Sequence, residues 1–131
     1  MTVNGLDYSW GKPGGAAIQE AGYAFAMRYT AYPGDGGKGL REPEMSDLRE
    51  HGISIGLVFE STAGRPQEGY AAGEMDARLA VAGAASIGFP DDRPIFFAVD
   101  FDANFSHWPA IDAYADGYGS AIVNGREWQW E

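Results

Sequence analysis

The chain has 131 residues, 45% hydrophobic and 21% charged, the balance of one globular domain with a modest core. With no cysteine and only two histidines, it excludes disulfide scaffolds, thiolate zinc sites, cysteine nucleophiles and a histidine-rich metal site, and no cofactor is called for. A formal net charge of -10 with nine basic residues argues against nucleic acid as a partner. No run approaches the ~20 apolar residues of a membrane span and no signal-peptide pattern opens the chain. As written it therefore reads as cytoplasmic, or as a mature or excised domain that would work outside the cell or at the cell wall.

In chain order, residues 3–8 predict a strand, followed by a Gly/Pro turn over residues 11–15 and a short Ala-rich helix ending near Gly22. Residues 23–30 predict the second strand, and "GDGGKG" (residues 34–39) a flexible loop that lacks the Gly-Lys-Ser/Thr order of a phosphate loop. The segment "EPEMSDLREHG" predicts a helix with Pro43 in its first turn, acids early, Arg49 and His51 late, and Gly52 as its stop. Residues 53–60 predict the third strand and residues 67–87 a long Ala-rich helix ended by Gly88 and Pro90. Residues 94–102 predict the fourth strand, and residues 108–119 start a fourth helix. Strands alternating with helices imply right-handed crossovers and a parallel sheet.

Alternation along each strand sorts its residues onto two faces. Val3, Gly5 and Asp7 share one face, as do Ala24, Ala26 and Arg28, then Ser54, Gly56, Val58 and Glu60, then Phe96, Ala98, Asp100 and Asp102. Each set runs from small or apolar residues to a charge at the strand's C-terminal end. The opposite sets, such as Phe25, Met27 and Tyr29 or Ile53, Ile55, Leu57 and Phe59, are bulky and are expected beneath helices. Small residues on the inner face favour a (β/α)8 barrel over an open doubly wound sheet, and barrels carry their sites at these strand ends. Only about four βα units are legible, whereas a full barrel needs roughly 200 residues or more. The expected fold is thus α/β, a TIM-barrel-type half-barrel.

Asp100 and Asp102 are expected on one face, where their like charges repel. Crowded carboxylates split into a protonated acid and an ionised partner, which is what glycoside hydrolysis requires. The competing account is that Asp102 and Asn104 cap a turn. Arg28 is expected to pair with Asp7 or Glu60 or, failing that, to lie exposed. Tyr8, Trp10, Tyr32 and Trp108 flank strand ends, where rings either stack on sugars or pack. His51 suits the helix C-terminus, His107 lies in a loop, and no Ser/His/Asp order is legible.

"GLDYSWGKP", "AGYAFAMRYT", "LREHGISIGLVFES", "GYAAGEMDARLAVAGAASIGFP" and "PIFFAVDFDA", in this order, resemble the glycoside-hydrolase-like domain of actinobacteria and their phages. That family is a barrel related to the muramidase-type lysozymes of glycoside hydrolase family 25. The resemblance covers residues 5–103 and fades after Phe105. It divides the chain into a βα-repeat domain at residues 1–105 and, at residues 106–131, an incomplete fourth helix with a divergent tail and no later strands. It implies catalytic acids at Asp7, Glu60, Asp100 and Asp102, with Arg28, Tyr8, Trp10 and Tyr32 binding substrate and no metal ligands. In the related lysozymes the fourth strand ends in Asp-x-Glu with the Glu as general acid; Asp102 stands at that second position here, which makes Glu60 a rival acid. The leading expectation is a glycosidase acting on a peptidoglycan-type cell-wall glycan, as in a lysin. The alternatives are a silent carbohydrate-binding or remnant domain, and a hydrolase using these acids on Mg2+ or Ca2+. A lone half-barrel is further expected to self-associate or to pair with a complementing half-barrel.

Overall fold

The computed structural model describes residues 2–121 and the backbone of residues 128–130. Five strands, β1 (Gly5–Asp7), β2 (Phe25–Tyr29), β3 (Ser54–Phe59), β4 (Ile95–Phe97) and β5 (Trp128–Trp130), form one sheet in the order β1-β2-β3-β4-β5, every pair parallel. Between them run α1 (Gly15–Glu20), α2 (Glu42–Glu50), α3 (Tyr70–Ser86), which a 3-10 turn at Arg65–Glu68 precedes, and α4 (Trp108–Ser120). The parallel βα order expected from the sequence is present. The segment expected to hold an incomplete helix and no further strand instead carries the thirteen-residue α4 and then β5.

Local chemistry sets the helix ends as the sequence implies. Pro43 lies in the first turn of α2 with Glu42 and Glu44, where acids favour the helix N-terminus, and Arg49 lies in the last. The imidazole of His51 closes that end against the Asp47 carbonyl at 2.8 Å, and Gly52 follows with φ 71°, a left-handed conformation that favours glycine.

The helices cover one face of the sheet. Ile18 of α1, Met45 and Leu48 of α2, Ala77, Ala80 and Ala84 of α3, and Tyr114 of α4 pack against Ala26, Leu57, Phe59, Ile95 and Phe97. Small residues let α3 approach closely: Gly83 abuts the Ala31 carbonyl, and Gly73 and Gly117 bring α3 and α4 so near that a Cβ on either would strike the partner's backbone. Beneath them the buried Asp76 carboxylate accepts hydrogen bonds from Arg65 Nε at 2.9 Å and Arg65 Nη2 at 2.9 Å, and from the Tyr114 hydroxyl at 2.7 Å. This joins the 3-10 turn, α3 and α4 through one charge.

Three expectations are corrected, the first of them by the strand register. Ala26 pairs with Ile55 and Arg28 with Leu57, so Ala26 and Arg28 face the helices, and Phe25, Met27 and Tyr29 lie half-buried on the uncovered face. The reason is complementarity across strands: Gly5 and Gly56 have no side chains there, and the Phe25 ring and Met27 thioether occupy the space their Cβ atoms would take. Strand β4 ends at Phe97, so the alternation expected to align Asp100 with Asp102 stops before reaching them. The Gly34–Gly39 loop is tied down by Asp35, whose carboxylate accepts from the Gly37 amide at 2.8 Å, the Gly39 amide at 3.1 Å and Arg41 Nη2 at 2.8 Å.

Burial pushes the Asp35 carboxyl up, but these donors outweigh it and hold it down at about 2. A depressed folded value means stability that is present above the ordinary 3.8 and lost as pH falls through it toward 2. We expect this group to contribute about 2 kcal/mol to acid lability over that window. Unfolding free energies measured from pH 5 to pH 2 should fall less steeply in Asp35→Asn; an unchanged slope would remove Asp35 from the account.

Candidate functional site

At the C-terminal edge of the sheet, β1, the end of β3 and the segment after β4 deliver acids around the last residue of β2. Asp7 ends β1 and is exposed, Glu60 follows β3, and Asp100 lies exposed three residues beyond β4. Tyr29, the last residue of β2, stands among them. Burial raises its phenol above the ordinary value, and the charges of Asp7, Glu60 and Asp100 add to the rise. The phenol therefore stays neutral across the physiological range.

Lys38, from the loop that Asp35 organises, completes this edge. Its ammonium donates to the Glu60 carboxylate at 3.1 Å and to the Glu60 carbonyl at 3.2 Å, and lies 4.0 Å from the centre of the Tyr29 ring. Glu60 is thus ion-paired with Lys38, not with the arginine expected beside it.

That arginine serves the layer below. Arg28 is wholly buried; its Nε and Nη2 donate to the two Glu44 oxygens at 2.7 and 2.9 Å, its Nη1 to the Tyr8 carbonyl at 2.7 Å, and Nη2 also to the Lys38 carbonyl at 3.1 Å. The Tyr8 ring lies 4.6 Å from the guanidinium and its hydroxyl donates to Glu44 at 2.9 Å. Burial raises the Glu44 carboxyl, yet the hydrogen bonds from Arg28 and Tyr8 prevail and hold it below the ordinary range. The expectation that Arg28 pairs with Asp7 or Glu60 is corrected, because residues on its face of β2 look toward α2. Arg28 and Tyr8 shape the site from beneath, since the Lys38 backbone hangs from this network.

The remaining expected residues divide. Trp10 is exposed beside the Gly36 turn. Tyr32 packs against Phe59 with 5.5 Å between ring centres, and its hydroxyl donates to the Ser61 carbonyl at 3.4 Å. Asp102 is exposed, and the turn expected of it and Asn104 is made by Asn104, whose side-chain oxygen accepts from the Ser106 amide at 2.9 Å and hydroxyl at 2.6 Å. Sequence reasoning missed Tyr29, Lys38 and Glu44. A buried arginine facing helices needs a carboxylate on one of them, so Glu44 becomes recognisable once the face of β2 is known.

Among the described residues no three of His, Asp or Glu are grouped to hold a metal ion, so Asp7, Glu60, Asp100 and Asp102 do not converge into a cation-binding set. Among them, too, no helix is long and apolar enough to cross a membrane. What the edge offers is a neutral phenol, a lysine-paired carboxylate and two carboxylates open to solvent. These are hydrogen-bonding groups suited to a polar, hydroxyl-rich molecule.

Comparison with known proteins places the fold and the family. The crystal structure of the Mycobacterium tuberculosis Tat-secreted protein Rv2525c in complex with HEPES superposes with a TM-score of 0.82 and 26% identity, covering 95% of this chain and 65% of that one. The same protein in complex with L-tartrate gives a TM-score of 0.81 at 26% identity, with the same coverage of both chains. A B. stearothermophilus protein shares the fold with a TM-score of 0.72 at 22% identity, over 98% of this chain and 59% of its own. This chain therefore spans about 65% of the length of the mycobacterial protein. No curated protein matches it in sequence. Residues 16–129, nearly the whole length, match one family in sequence, and the chain belongs to the Rv2525c-like, glycoside hydrolase-like domain family.

Proposed function

We propose that the chain is a glycosidase domain that acts on a bacterial cell-wall glycan of the peptidoglycan type through Asp7, Glu60 and Asp100. What supports this reading is that Asp7, Glu60 and Asp100 come to the same C-terminal edge of a parallel sheet, near enough to Tyr29 for their charges to raise its phenol, the edge where α/β folds place their chemistry. Membership of a glycoside hydrolase-like domain family supports the sugar-directed part of it. In this scheme Asp100 gives its proton to the glycosidic oxygen as the bond to the sugar carbon breaks. Glu60 stabilises the cationic sugar until water adds and returns a proton to Asp100. Asp102 lies exposed in the segment after β4. Among the described residues the helices lie on one face, and this with the sequential strand order supports a half-barrel whose inner face is the other one, with kinship to the family 25 muramidases. An uncovered face also favours self-association or a complementing half-barrel. A cell-wall substrate would place the domain outside the cytoplasm.

A second reading, carbohydrate binding without turnover, is favoured by exposure: Asp7, Asp100 and Asp102 all meet solvent, whereas general acids are commonly raised by apolar surroundings. Release of reducing ends from purified peptidoglycan separates the two. Turnover by the wild type should drop about a hundredfold in Asp100→Asn and in Glu60→Gln. A folded wild type that binds the polymer and releases nothing would establish the binding reading.

A further inference from the structure

We propose that Tyr29 is the ligand-contacting hydroxyl of this edge, and that Lys38 is the positioning residue that fixes the Tyr29 ring and the Glu60 carboxylate in one geometry. The proposal rests on the glycan reading above and gives it a donor. Three tyrosines stand at this end of the sheet, and two are spent: Tyr8 donates to Glu44 and Tyr32 to the Ser61 carbonyl. The Tyr29 hydroxyl donates to no described residue, although the ring is half-buried and held under an ammonium. Its place is set twice over. Register puts Tyr29 beside Val58 on the uncovered face, and the Lys38 ammonium pins the ring while bridging the Glu60 carbonyl and carboxylate.

Lys38 is itself anchored, because Arg28 Nη2 holds its carbonyl at 3.1 Å and the Asp35 turn shapes the backbone around it. Its ammonium is largely buried, with 13% of the side chain exposed, which suits a fixed strut better than a mobile ligand clamp. Asp7 and Glu60 offer carboxylate oxygens as acceptors, and the Tyr29 phenol adds a donor beside them. Carboxylate acceptors beside a phenol donor match a sugar, whose hydroxyls give to the carboxylates while a ring or carbonyl oxygen takes from the phenol.

The test is calorimetric binding of soluble peptidoglycan fragments to the full chain, with thermal unfolding recorded for each variant. Tyr29→Phe keeps the ring and removes only the donor; it should bind about tenfold more weakly at an unchanged melting temperature. Lys38→Met should weaken binding comparably, and Lys38→Arg should recover most of it. If the wild type binds and Tyr29→Phe binds equally well, the proposal fails while the glycan reading stands. If Lys38→Arg binds no better than Lys38→Met, the positioning role fails. A folded wild type that binds no fragment overturns both the proposal and the glycan reading beneath it.

Discussion

Replacing Arg28 with methionine should cost about 3 to 5 kcal/mol of folding stability, the range for breaking a buried ion pair by removing one partner. Methionine fills the volume, so the loss is electrostatic. The Glu44 carboxylate, with 13% of its side chain exposed, would keep only the Tyr8 hydroxyl and Lys12, 3.9 Å away, and the Tyr8 and Lys38 carbonyls would lose their donor. Against total stabilities of about 5 to 15 kcal/mol for natural domains, such a loss leaves the chain close to unfolding. Urea titration of Arg28→Met beside Arg28→Met with Glu44→Leu checks the cause. The double variant should be more stable than the single, because it removes the orphaned charge. Equal or lower stability in the double variant would show that packing, not charge, is what Arg28 supplies.

The second large effect is expected at Asp76. Asp76→Ala should destabilise by about 3 kcal/mol, since it strips the buried Tyr114 hydroxyl of its acceptor and leaves Glu68 as the one carboxylate bonded to Arg65 among the described residues. Burial raises the Tyr114 phenol and the Asp76 charge raises it further, so the phenol stays protonated and donating at any ordinary pH. Tyr114→Phe should cost only about 1 kcal/mol, because Arg65 still satisfies the carboxylate. The two variants compared by denaturant unfolding check this: equal losses would mean that the Tyr114 contact, rather than the charge, joins α3 to α4.

Much of this architecture was legible in the residues. The βα order, the Gly52 and Gly88 helix stops, and the parity of β1, β3 and the residues of β4 could each be read from one segment at a time. The face of β2 could not, because it depends on Gly5 and Gly56 in the neighbouring strands, whose missing side chains admit Phe25 and Met27. Read alone, Ala24, Ala26 and Arg28 look like a barrel lining; read against their neighbours, they are the thin side of a strand beneath helices. That inversion moved Arg28 out of the site and brought Tyr29 in. Asp100 was placed by an alternation that β4 is too short to carry, yet it reaches the same edge by way of the following loop. Glu44 and Asp76 were obscured because acids on helices are usually solvated, and only a long-range partner distinguishes these two.

Everything proposed for this site requires that sugar meet the Tyr29 edge. A crystal structure of the protein with a chito-oligosaccharide tests this most directly. The account predicts a sugar ring on the uncovered face, with hydroxyls on Asp7 and Asp100 and an oxygen within hydrogen-bond distance of the Tyr29 phenol. Sugar bound elsewhere, for instance in the apolar groove between Phe105 and Trp108, with the Tyr29 edge empty in the same crystal, would contradict it.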